Sequence, residues 1–101
     1  MGFDISLYNN KEEFVENYEI KEGLHNEIFN SKKLWRSYLE LRKLSDYYVD
    51  FVEYKGQSLI DLIDDLKRYK MFIPQHKQEQ YQEFIDKIDN PAISKIDVSG
   101  D

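Results

Sequence analysis

The chain has 101 residues, 34% of them charged and 41% hydrophobic, with a formal net charge of −6 and an isoelectric point near 4.9. That suits one domain near the lower limit of a self-sufficient core, and the acidic balance excludes the phosphate neutralisation on which sequence-independent DNA binding depends. The absence of cysteine excludes disulfide staples and thiolate metal sites. No apolar run of about 18 residues and no basic-then-apolar leader is present, so a soluble, cytoplasmic protein without membrane association is expected.

Phe3-Asp4-Ile5-Ser6-Leu7-Tyr8 alternates apolar and polar residues, which predicts a half-buried strand. Asn9-Asn10-Lys11 is turn chemistry, because Asn tolerates left-handed backbone angles. Glu13–Ile20 fits two patterns. Phe14, Glu16, Tyr18 and Ile20 share one face of a strand, while Phe14, Val15 and Tyr18 also fit a helical turn. The strand, hairpinned to the first, is the reading adopted. Gly23 interrupts the run, and Leu24–Phe29 reads as a short helical turn with Leu24 and Ile28 four residues apart on one side.

The longest periodic run is Ser31–Tyr54. Leu34, Tyr38, Leu41, Leu44, Tyr48, Phe51 and Val52 recur every three or four positions, the period of a helix with one face turned to a core. Ser31 caps its start and Gly56 lies just past its end. At about 1.5 Å per residue this rod is roughly 35 Å long, and the rest of the chain packs around it. Ser58 and Asp61 then have capping-box spacing, and Leu59, Leu62, Ile63, Leu66 and Tyr69 predict a second helix. Its acids Asp61, Asp64 and Asp65 come early and its bases Lys67, Arg68 and Lys70 late, as the helix macrodipole favours.

Pro74 closes that segment and opens the next, a helix to about Ile88 that buries Tyr81, Phe84, Ile85 and Ile88. Asn90-Pro91 is a turn. Ala92–Ser99 alternates weakly and predicts a last strand, set beside the first because an isolated terminal strand leaves its backbone groups unpaired. The expected fold is α+β in a single domain spanning residues 1–101. A small two- or three-stranded antiparallel sheet, the N-terminal hairpin plus the C-terminal strand, packs against three helices in the order β-β-α-α-α-β.

Asp4, Ile5 and Leu7 in an M-x-x-D-I-x-L opening, the pair His25-Asn26, Leu34-Trp35-Arg36, and Pro91, Ile96, Val98 and Ser99 near the end form a further pattern. In these residues the chain resembles a group of small phage and prophage proteins that close on a Val-Ser strand. Gly100-Asp101 departs from the basic ending of that group. The resemblance implies a mobile-element protein. Small acidic proteins of that setting include antagonists of host defence, anti-CRISPR inhibitors among them.

Motifs for catalysis are missing: there is no G-x-S-x-G, no HExxH, no P-loop and no G-x-G-x-x-G. Ser31, Ser37, Ser45 and Ser58 read as caps or helix-surface residues. Asp61, Asp64 and Asp65 share an outward helix face, without the unequal burial that paired acid–base carboxylates use. No enzymatic activity is expected. His25 and His76 are the two histidines. The best nucleus for zinc, which takes three or four ligands at about 2.0–2.2 Å, is Asp4 with His25 across the hairpin. The favoured alternative is a solvated or cap-making Asp4 and a hydrogen-bonded turn histidine.

Trp35, Tyr47 and Tyr54 lie beside the stripe of the long helix, flanked by Asp46, Asp50 and Glu53. One reading is a second core face against another helix. The other is a binding patch for a basic protein surface, with Trp and Tyr as anchors and Asp46, Asp50, Glu53, Asp61, Asp64 and Asp65 as steering charge. The functional expectation is a non-catalytic binding protein that occupies a basic macromolecular surface and blocks it. The resemblance places a host defence nuclease of the CRISPR type there. Two alternatives stand beside it: a metal-binding protein centred on Asp4 and His25, and an immunity protein that neutralises a cognate toxin. Monomer and homodimer are both open, since exposed rings also serve as a dimer seam.

Overall fold

The computed structural model describes residues 3–29, 38 and 52–100. The chain opens with β1 (Phe3–Tyr8), β2 (Phe14–Ile20) and α1 (Glu22–Ile28). From Val52 it continues as β3 (Val52–Lys55), α2 (Gln57–Tyr69), two 3-10 turns (Lys70–Phe72 and Gln75–Lys77), α3 (Gln78–Ile88) and β4 (Lys95–Gly100). These elements form an α+β fold, a four-stranded antiparallel sheet in the order β2-β1-β4-β3 with three helices among the described residues. No helix among the described residues is long and apolar enough to cross a membrane.

The fourth strand corrects the expected two- or three-stranded sheet. Val52-Glu53-Tyr54 is the end of the predicted long helix, yet it forms β3 against β4. Val-Glu-Tyr-Lys alternates with period two and is rich in strand formers, and a helical stripe and a short strand cannot be told apart over so few residues. The rest of that helix, residues 31–37 and 39–51, lies outside the described residues. Gly56 does not end a helix; it precedes α2 with φ +59° and ψ −124°. The expected capping box is replaced as well. The Ser58 hydroxyl turns back to accept from the Lys55 N–H and donate to the Lys55 carbonyl, both at 2.9 Å, and Asp61 accepts from the Gln57 amide at 2.9 Å.

The hairpin turn is built by Asn9, but not through a left-handed angle of its own. Its side-chain Oδ1 accepts the N–H groups of Lys11 (2.9 Å) and Glu13 (3.0 Å), and Glu12 takes the positive φ of 60°. The expected pairing of the last strand with the first holds over its length, from Phe3 opposite Gly100 to Tyr8 opposite Lys95.

Register shows how the sheet makes its core. On one face the cross-strand rows read Val52, Val98, Ile5, Tyr18 and Tyr54, Ile96, Leu7, Glu16, from β3 across to β2. Ile5, Leu7, Ile96, Val98 and Tyr54 are all within 1% of complete burial. Leu24 and Ile28 of α1, Leu59, Leu62, Leu66 and Tyr69 of α2, and Tyr81, Phe84, Ile85 and Ile88 of α3 join the same core. The i, i+3, i+4 spacing read from the sequence therefore puts the expected faces inward on α2 and α3, with Ile63 partly buried at the stripe's margin.

Two buried tyrosines tie helix ends together. Tyr69 donates to the Ile28 carbonyl at 2.8 Å and Tyr81 to the Leu66 carbonyl at 2.6 Å. Both acceptors lie in the last turn of a helix, where carbonyls lose their intrahelical partners.

Candidate functional site

Two core rows of the sheet become polar where they reach β2, while Ile20 of the same strand stays in the core. Glu16 and Tyr18 stand where the inner strands carry Leu7 and Ile5, and α3 lies against them. Tyr18 stacks on Phe84 with ring centroids 6.4 Å apart and planes 8° from parallel, while its hydroxyl donates to Glu83 Oε1 at 3.2 Å. Burial, with the Glu83 and Glu16 carboxylates beside it, pushes the Tyr18 hydroxyl up to about 12. Lys87 places its Nζ 3.2 Å from Glu16 Oε1 and 5.9 Å from the centre of the Tyr18 ring.

Two clefts run along this junction. The first, about 360 Å³, is lined by the unbroken run 17–21 and faces Gln80 and Glu83. Successive side chains of a strand point to opposite faces, so a cavity touching four strand residues in a row, Asn17 to Ile20, lies along the strand's edge rather than over one face. The second, about 320 Å³, lies between Val15 and Glu16 on one side and Glu83, Asp86 and Lys87 on the other. Glu83 lines both. Together they form a groove between the outer edge of β2 and α3 that carries four acids, Glu16, Glu19, Glu83 and Asp86, against two lysines, Lys21 and Lys87. Lys87 already places its own ammonium group here, over Tyr18 and against Glu16.

The residues singled out in the sequence are distributed differently. Trp35, Asp46, Tyr47 and Asp50 lie outside the described residues. Tyr54 is 1% exposed, a core residue, and so not an exposed anchor; as the terminal residue of a helix it would have fallen beside the stripe, but as the third residue of β3 it points inward. Glu53 is exposed on the other face of the sheet, with Lys95 Nζ at 3.7 Å. Asp61 and Asp64 are exposed on α2, where Asp64 pairs with Arg68 at 3.1 Å, and Asp65 is half-buried. Neither Glu53 nor the α2 acids line the groove.

Asp4 sits between Glu19 and Ser99 in the sheet register. His25 is half-buried on α1 with its ring centre 5.2 Å from that of Phe29, and burial holds its imidazole below the usual range, partly offset by Asn26. Among the described residues no three His, Asp or Glu side chains gather as cation ligands do, and neither Asp4 nor His25 belongs to such a group. On the sheet face that bears Glu53, the enclosed Asp97 Oδ1 has no hydrogen-bond partner among the described residues, and Glu53 is its cross-strand neighbour.

Glu16, Tyr18, Glu83, Asp86 and Lys87 were not singled out by sequence reasoning. A partial signal exists, since Glu79, Glu83 and Asp86 recur at helical spacing opposite the buried stripe of α3. Nothing local says that β2 is the strand they meet. Comparison with models of protein families, with curated proteins and with solved structures finds no match to this chain.

Proposed function

We propose that this is a non-catalytic binding protein whose groove between β2 and α3 docks on a basic protein surface. The observation that carries the reading is the excess of acids, Glu16, Glu19, Glu83 and Asp86 against Lys21 and Lys87, along one groove in which the Lys87 ammonium is already held by Glu16. Phe14 and Val15, 60% and 48% exposed at one end of β2, provide apolar contact next to the charges and take the anchoring role expected of Tyr54. Opposite fields steer such an encounter and raise its on-rate. Trp35 and Tyr47 remain candidate anchors on sequence grounds. The resemblance to small phage proteins adds the class of target, a host defence nuclease whose basic surface ordinarily holds nucleic acid.

Affinity capture from host extract with wild type and with Glu83→Gln/Asp86→Asn tests this. The captured partner should bind more weakly as salt rises, and the variant should lose about tenfold in affinity, both mostly through on-rate. Equal capture by both proteins, with no dependence on salt, would overturn the reading.

A further inference from the structure

The sheet has two outer edges, and they differ. β3 is four residues long, ends in a lysine, and has Lys55 tied to Glu12 at 2.8 Å. Short length and lysine are the usual means by which an edge is blunted against further pairing. β2 is seven residues long and has neither lysine nor proline within it, its nearest lysine being Lys21 just past its end. Among the described residues no strand pairs with its outer side. Its bulge lies near its start, where the register shifts between Leu7 and Tyr8, and residues 16–20 beyond it are in regular register. Alternate residues of that stretch direct their N–H and C=O groups away from β1, into the cleft lined by residues 17–21.

We infer that β2 accepts an extended basic segment of another protein as an added strand, with main-chain hydrogen bonds to the β2 edge and Lys or Arg side chains reaching the groove carboxylates. This inference rests on the groove being the docking site for a basic partner. Strand addition takes its affinity from backbone pairing and its specificity from alternate side chains. Here the side chains on the helix side meet Glu83 and Asp86, and those on the opposite face meet Glu19. A second copy of this chain is the poorer occupant, because pairing β2 with itself sets Glu16 and Glu19 of both copies on adjoining strands, where like charges repel.

The test uses the intact protein and three fluorescein-labelled peptides of about eight residues, alternating Arg and Val, a length suited to one strand. One is unmodified, one is N-methylated at every Arg and one at every Val. An added strand turns only one set of amides toward β2. One methylated peptide should therefore bind like the parent and the other at least about tenfold more weakly, as expected when several backbone bonds are lost. Equal binding of all three overturns strand addition while leaving basic docking intact. If the parent peptide binds no better than a Glu-Val counterpart, the docking reading falls with it. Sedimentation that shows a dimer displaced by the parent peptide would instead assign the edge to a second copy and overturn the choice of partner.

Discussion

Tyr81 shows at a single residue how this core handles polarity. Its ring is fully buried on α3, and its hydroxyl satisfies the Leu66 carbonyl near the end of α2. Replacing Tyr81 with Phe leaves that carbonyl enclosed without its partner, so the variant should be less stable at neutral pH by about 1 kcal/mol in urea denaturation. The same burial governs alkaline behaviour. It raises the Tyr69 hydroxyl to about 12, with Tyr38 and Glu27 adding to the shift, and pushes Tyr81 up as well. A group that binds its proton more tightly when folded contributes its full stability below the unfolded value near 10, and loses it as pH rises toward the folded value. Stability should therefore fall from about pH 10 upward, and Tyr69→Phe and Tyr81→Phe should each make the decline shallower. Identical slopes in all three proteins would refute the assignment.

At the scale of elements, the junction between β3 and α2 is the most exacting. Gly56 takes φ +59° and ψ −124°, while a methyl group built there meets nothing within 4 Å. The requirement is thus backbone conformation and not space. Gly56→Ala should cost about 1–3 kcal/mol, read as a lower urea midpoint with an unchanged slope. The same turn explains why the sequence pattern predicts a helix end where the fold has a strand. A glycine after an apolar run commonly ends a helix, and both arrangements place glycine at a positive φ. What separates them is whether Tyr54 lies in a helix or a strand, and that depends on the pairing of Tyr54 with Ile96 of β4. By contrast, α2 and α3 were legible, because long amphipathic segments carry many repeats of one period.

For the molecule as a whole, strand order matters more than strand content. β4 is the last element in sequence but lies inside the sheet, between β1 and β3. It joins the hairpin to the β3–α2 unit, so a chain ending at Ser94 should lose its cooperative urea transition and most of its far-ultraviolet strand signal. Retention of a cooperative transition would show that the helices hold the hairpin and β3 together without it. Pairing of the two ends of the chain also means that a large loop must close before the sheet is complete, an arrangement associated with slow folding.

Taken by itself, the sequence determined the α+β class, the hairpin, the inward faces of α2 and α3, and the meeting of the first and last strands. Each follows from local periodicity, or from the need of terminal backbone groups for partners. It also determined that the surface would be acidic. Which acids stand together was decided by tertiary structure alone. Glu16 and Glu83 are distant in the chain and meet because β1 places β2 at the sheet's edge while the Phe84 stripe holds α3 against Tyr18. Charge at the surface carries no periodicity that names its neighbours across the fold, whereas apolar residues must find a common core.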